Sequence, residues 1–266
     1  MTTPADAGGW PASVGLIGAG AMGRAMLAGI LRAGTKSVTI VDAIPAAAAA
    51  AAQATGGSVG SVADAAHADL TVVAVKPKDA ADVLAQLATA PPGGIVLSVI
   101  AGWDLGRLRE ALPDAPLVRT MPNLAVEHGA GLVALAADGL SPAQQEAIEA
   151  ALAPGGTVVP LPESLFAAAT ALAGSGPGLV ALVAEGLEDG AVAAGLTRDQ
   201  ARAMTAAVLA GTSVLLADGT APTDLRHRVS SPAGTTVAGI SVLERGAVRA
   251  HIADAVVAAA ARAASI

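Results

Sequence analysis

Residues 13–24 read SVGLIGAGAMGR, and no other stretch of the chain restricts its fold as strongly. A short apolar run, SVGLIG, leads into three glycines, Gly18, Gly20 and Gly23, in the spacing G-x-G-x-x-G. A helical run, AMGRAMLAGILRAG, follows at once. Strand, glycine turn and helix in that order open a doubly wound parallel sheet that binds dinucleotides. The first glycine permits the tight turn, the second lets a pyrophosphate approach the backbone, and the third packs helix on strand. Unpaired N–H groups at the helix start and the positive end of its dipole then face the phosphates. The second strand, residues 37–42, ends in Asp42, 24 residues after Gly18, where a carboxylate can hold a ribose 2′-hydroxyl. The same charge repels a 2′-phosphate, and the following AIPAAA brings no Arg or Ser to receive one, so NADH is favoured over NADPH. Arg24 is the nearby cation that works against this preference.

The alternation continues. Apolar strands are expected over residues 70–77, 94–102, 116–123, 129–136 and 156–161, with helices between them. The alanine run 46–52 favours helix through its low entropic cost, and Ser141, Pro142 and Gln144 spell a capping box. The implied fold is α/β: a mostly parallel sheet covered on both faces. In such a sheet the carboxyl ends of the strands line the cofactor crevice, so Lys76 in AVKP either flanks the nucleotide or is a solvated lysine at a strand end. SVIAG (98–102) and MPN (121–123) end in the same region, and Asn123 is either an orienting hydrogen-bonder or a turn former.

Beyond Pro162 strand-like alternation stops. Helical runs occupy roughly residues 164–194, 198–217, 235–245 and 247–264, and Thr197 with Gln200 gives a second capping box. The expected organisation is a flexible tail over 1–12, a dinucleotide-binding domain over 13–162 and an all-helical domain over 163–266. The stretch 165–184 carries no charge across twenty residues, long enough on paper to span a bilayer, but it is Ala-rich and broken by GSGPG. A buried helix pair is the expectation there. The N-terminus lacks the basic start and apolar run of a signal peptide, which points to a cytoplasmic protein. A net charge of −7 without a basic stripe argues against a nucleic-acid partner. The apolar helical half calls for a partner surface to cover it.

The residue types that are missing narrow the chemistry. There is no Tyr to protonate a carbonyl and no Cys to form a thiolate or a metal site, and lysine occurs only at 36, 76 and 78. A substrate that carries its own proton, such as an iminium ion, demands much less of the protein. The stretch SSPAGTT (230–236) fits this. Ser231 and Pro232 form a turn into a helix beginning near Thr235, and Gly234 allows close approach. The first N–H groups can then receive a carboxylate, and Thr235 and Thr236 offer hydroxyls to a nitrogen. The alternative for these hydroxyls is simple helix capping.

Together, IGAGAMG, AVKP, RTMPN, TALAGSGP, GLTRDQA and SSPAGTTVAGISVLERG resemble the pyrroline-5-carboxylate reductase family over nearly the whole chain. The resemblance implies NAD(P)H-dependent reduction of a cyclic imine carboxylate to proline. It also implies a Rossmann domain followed by a helical dimerisation domain, the dimers often assembling into a decamer. Carried onto this chain, it assigns the cofactor to Ile17, Gly18, Ala19, Gly20, Ala21, Met22, Gly23, Asp42, Ser61, Ala74, Val75, Lys76, Pro77, Val99 and Ala101. The substrate falls to Ser231, Gly234, Thr235 and Thr236, with Thr236 on the ring nitrogen as the catalytic contact and Glu163 near an acidic substrate-side position. No metal is implied.

The chain departs from the family pattern at several polar positions. Ala173 stands where a serine is usual, Leu179 where a tyrosine is, Ala167 where an Asp is, and Ala21 where an Asn is common. MPNTP has become MPNLA, and SPGG has become SPAG. These changes leave open a relative that reduces a different cyclic or acyclic imine, or a nucleotide-binding protein without catalysis.

Overall fold

The computed structural model describes residues 10–265. Most of the expected tail lies outside the described residues. Of its last three positions, Trp10 packs against the core and Pro11 is buried, so the packed body begins before residue 13.

The chain forms two compact units, one running through Gly174 and resuming at Ala260, the other spanning Ser175–Ala259. This division falls later than the change of sequence texture near 160–164. The reason is that Phe166, Ala171 and Ala173 are buried and the segment around them packs on the sheet.

In the first unit the order is β1 (Ser13–Ile17), α1 (Ala21–Leu31), β2 (Ser37–Val41), α2 (Pro45–Thr55), β3 (Ser58–Val59), α3 (Val62–Ala66), β4 (Leu70–Val73), α4 (Ala80–Thr89) and β5 (Ile95–Ser98). It continues with α5 (Leu105–Ala111), β6 (Leu117–Pro122), β7 (Gly131–Asp138), α6 (Pro142–Leu152), β8 (Gly156–Pro160) and α7 (Phe166–Ala169). The eight strands form one sheet in the order β3-β2-β1-β4-β5-β6-β7-β8. All neighbours are parallel except β6 and β7. The exception follows from chain length. Residues 123–130 are too few for a parallel crossover, which needs about a dozen or more, whereas α6 supplies one between β7 and β8.

The central strands β4 and β5 are buried along their whole length, as continuous apolar runs in a doubly covered sheet should be. Leu16, Leu70, Val72 and Leu97 are fully enclosed. The few polar groups there are satisfied: Thr71 donates to the Ala65 carbonyl and Thr120 to the Ser98 carbonyl, both at 3.2 Å. The alanine run forms α2, with Pro45 at its first turn and a left-handed Gly56 (φ 69°) ending it. The strand order reverses between β1 and β4, which opens a crevice at their carboxyl ends.

The second unit holds α8 (Gly176–Ala193), α9 (Arg198–Ala217), α10 (Pro222–Arg228), α11 (Thr235–Arg245) and most of α12 (Val248–Ala263). Both capping boxes are present, Ser141 with Gln144 and Thr197 with Gln200. The short α10 has no counterpart in the sequence reading. The expected buried helix pair is corrected. Residues 165–184 run through a π-helical turn, Thr170–Gly174, into α8, and no residue of α8 is buried within the chain. Val180, Leu182, Val183 and Leu187 stand exposed although α8 packs against α9. By length and composition alone, Glu163–Ala193 and Arg198–Ala217 are apolar enough to cross a membrane.

Candidate functional site

A cleft of about 600 Å³ occupies the crevice where the strand order reverses. It is lined by Ile17 at the end of β1, Gly18 and Gly20 from the glycine loop, Val41 at the end of β2 with Asp42 to Ile44 after it, Ala74 to Lys76 after β4, and Val83 and Gln86 one helical turn apart on α4. Val62, Lys78 and Asp79 complete it.

Each glycine of the loop meets a distinct physical demand. Gly18 has φ +101°, and a Cβ there would lie 2.6 Å from the Ala74 carbonyl oxygen. A Cβ on Gly23 would come within 2.0 Å of the Gly18 carbonyl oxygen, so this glycine lets α1 sit against the loop. At Gly20 a Cβ would meet nothing within 4 Å. The backbone therefore does not require a glycine there, and the vacant side is where a ligand can reach the chain closely. Gly20 is also the N-cap of α1 and provides no side-chain cap, so the first N–H groups of the helix remain available. The cradle fits a dinucleotide's phosphates.

Asp42 braces this loop. One carboxylate oxygen accepts from the Ala19 N–H at 2.7 Å and the other from the Ile44 N–H at 2.8 Å. A carboxylate offers about four lone-pair sites, so acceptor capacity remains for a ribose hydroxyl. Around the same crevice, Ser61 caps α3 in a reciprocal capping box with Asp64. The Ser61 backbone N–H and then its hydroxyl hold the Asp64 carboxyl below its ordinary value. That contribution is present above pH 4 and lost as the pH falls through the lowered value.

Of the residues assigned to the cofactor, the cleft brings together Ile17, Gly18, Gly20, Asp42, Ala74, Val75 and Lys76. Ala19, Ala21, Met22 and Gly23 belong to the loop and helix start beside it. Pro77 opens the short turn after β4, and Val99 and Ala101 follow β5 outside the cleft lining. Residues the sequence reading missed include Ile44, Val62, Lys78, Asp79, Val83 and Gln86. Ile44 stands two residues after the acid and is 64% exposed, an apolar side chain left open at the cleft lining. Asn123 is a turn former. It caps the short helical turn Leu124–His128 and accepts from the Ala125 N–H at 3.2 Å.

The family resemblance puts Glu163 near a substrate-side position. In the free chain its carboxylate accepts from the Arg119 guanidinium at 2.7 Å and from the Leu105 N–H at 2.8 Å. It ties β6 to the start of α5.

In the second unit, α11 begins at Thr235 with Gly234 as N-cap and no side-chain cap, so capping does not occupy the hydroxyls of Thr235 and Thr236. The turn before it is tight. The Gly234 N–H donates to the Ser231 carbonyl at 2.9 Å, Ala233 has φ +55°, and a Cβ on Gly234 would lie 2.4 Å from Ser231 Oγ. The outcome is a tight turn into an uncapped helix start flanked by hydroxyls, a type of end suited to a carboxylate. Among the described residues there is no cluster of His, Asp or Glu that could hold a metal.

Residues 163–266 match the family model for pyrroline-5-carboxylate reductase dimerisation, and residues 13–102 match one for coenzyme F420-dependent NADP oxidoreductases. A pyrroline-5-carboxylate reductase from Synechocystis is 39% identical over 194 residues, 72% of this chain and 73% of that protein. One from Mycobacterium tuberculosis is 36% identical over 94% of this chain and 95% of its own. The chain belongs to the pyrroline-5-carboxylate reductase family. A solved pyrroline-5-carboxylate reductase from Coxiella burnetii superposes with a TM-score of 0.87 at 26% identity, covering 96% of this chain and 97% of that one. Membership in this reductase family also accounts for the uncovered leucines and valines of α8 and α9, which lie within the part matched by a dimerisation model.

Proposed function

We propose that this chain is a pyrroline-5-carboxylate reductase that converts 1-pyrroline-5-carboxylate to L-proline with NAD(P)H. The carrying observation is that one chain of this family holds both a glycine-loop cleft and an uncapped, hydroxyl-flanked helix start, with no Tyr or Cys in its sequence. When bound, the nicotinamide supplies a hydride to the C=N carbon. The protein's own groups then have three tasks. The N–H groups at the start of α1 hold phosphate, Asp42 receives a ribose hydroxyl, and the turn from Ser231 to Thr235 binds the imine's carboxylate through backbone N–H groups. Thr236 hydrogen-bonds the ring nitrogen. Fixing the reactants in this way provides the rate without a strong acid or base, because the imine nitrogen already carries the proton.

NADH is the favoured form of the cofactor, since a carboxylate at the end of the second strand, here Asp42, repels a 2′-phosphate. The protein is a homo-oligomer whose unit is a dimer formed through α8 to α12, with a decamer as its larger assembly. The departures at Ala167, Ala173 and Leu179 make the site less polar and support a second substrate, a homologous cyclic imine, alongside pyrroline-5-carboxylate.

Purified protein is tested with pyrroline-5-carboxylate and with larger cyclic imines, each with NADH and NADPH. Coenzyme oxidation with at least one imine, and a higher kcat/KM with NADH, is expected; no turnover on any of them contradicts the reading. Thr236→Ala lowers kcat about tenfold or more and leaves cofactor affinity unchanged. Unaltered turnover removes Thr236 from the chemistry.

A further inference from the structure

Arg24 lies in the first turns of α1, four residues after the N-cap Gly20. This is the wrong end of a helix for a cation, because the dipole there favours negative charge. The first turn of α1 has no acidic residue to compensate, and no carboxylate lies within ion-pairing distance of Arg24 among the described residues. The side chain does not extend along the helix. It folds back to the glycine loop, where Nη1 donates to the Ala19 carbonyl at 2.7 Å. Its residue is exposed, and its remaining guanidinium donors have no protein partner among the described residues.

Ala19 is thereby held from both sides, its N–H by Asp42 and its carbonyl by Arg24. The first contact belongs to the ribose-binding acid of the cleft. The second brings a planar cation, with donors to spare, to the same residue of the loop. A guanidinium set against the positive end of a helix is unfavourable in the free protein and favourable once an anion lies between them. A local conflict of this kind at a ligand-binding loop is what a binding residue produces.

We propose that Arg24 is a phosphate ligand of the dinucleotide, clamping it from the helix side of the glycine loop. This rests on the reading of the cleft as a dinucleotide site. The phosphate is either the pyrophosphate common to both coenzymes or the 2′-phosphate of NADPH, and the chemistry of recognition is the same for both.

The test compares wild type with Arg24→Gln and Arg24→Lys by equilibrium titration of NADH, NADPH, ADP-ribose and adenosine, together with thermal unfolding of the ligand-free protein. Loss of a charge-assisted contact should weaken phosphate-bearing ligands about tenfold or more. Arg24→Lys, which keeps a point charge without the planar fork, should fall between the two. Equal weakening of NADH, NADPH and ADP-ribose, with adenosine unaffected, assigns Arg24 to the pyrophosphate. Weakening confined to NADPH assigns it to the 2′-phosphate and reverses the preference expected from Asp42. If all four dissociation constants stay within about twofold of wild type and only the unfolding temperature of the free protein falls, Arg24 merely caps the loop and the proposal is overturned. If wild type binds none of the dinucleotides, the reading of the cleft fails with it.

Discussion

Replacing Glu163 tests whether this acid is a structural brace or a substrate contact. Its carboxylate receives two hydrogen bonds, from the Arg119 guanidinium and the Leu105 N–H. Arg119 is nearly enclosed: its side chain is 12% exposed, its guanidinium lies over the Phe166 ring at 4.5 Å, and its buried Nε has no partner. Removing one member of a buried ion pair costs about 3–5 kcal/mol, because the other charge is left without compensation. The Glu163 side chain is 28% exposed, which lets water reach the vacancy, so about 2–3 kcal/mol is expected for Glu163→Ala. In a domain of this size that lowers the unfolding temperature by about 5–10 °C. Glu163→Gln keeps an oxygen for the Leu105 N–H and loses only the charge, so its loss is about half as large. In an Arg119→Met background, which retains packing on Phe166, the Glu163→Ala penalty should shrink to about 1 kcal/mol or less. The assay is thermal and denaturant unfolding of the four variants, with KM for the imine measured on each. A Glu163→Ala variant within about 0.5 kcal/mol of wild type, with a raised KM, would refute the brace and return Glu163 to the substrate side.

Three further outcomes are expected. Gly20→Ala should leave the stability of the free protein unchanged and still reduce dinucleotide affinity, since its Cβ meets nothing in the protein; Gly18→Ala, at φ +101° and 2.6 Å from the Ala74 carbonyl, should lower both. Titration of NADH beside thermal unfolding separates the two, and equal behaviour contradicts the cradle. Ala233→Gly should stabilise by about 0.5–1 kcal/mol, because Ala233 has φ +55° and the relief of left-handed strain exceeds the added backbone entropy of the unfolded chain; a destabilised variant in chemical unfolding would count against the turn. Leu182→Glu places a charge on a side chain that is 68% exposed in the single chain. It should dissociate the oligomer in light scattering, whereas an unchanged mass would show that α8 lies outside the interface.

Much of the first unit could be read from local pattern because each signal there has a short-range cause. The strands β1, β4 and β5 are apolar runs, the glycine loop is specified by sterics within a few residues, and the capping box of Ser141 with Gln144 is a contact between residues three apart. The two-residue β3 escaped because so short a pairing leaves no periodicity, and α10 because seven residues between loops carry no amphipathic stripe. Glu163 illustrates the other limit. Its partners lie 58 and 44 residues away, at Leu105 and Arg119, and nothing in the order of the chain announces either contact.

The expected buried helix pair over 165–184 differs from the structure for another reason. A run of apolar residues says that a surface must be covered and leaves unsaid which chain covers it. The stretch from Leu165 to Ala184 satisfies the criteria for a buried helix, yet Val180, Leu182 and Val183 stand open in the single chain. Poverty in polar side chains leaves α8 and α9 with little to offer water. Burial within one chain is therefore the wrong reference state for these helices if, as proposed, a second copy contributes the opposing side of their apolar face. On this reasoning the stability of the second unit depends on protomer concentration, while the sheet of the first unit holds a core of its own.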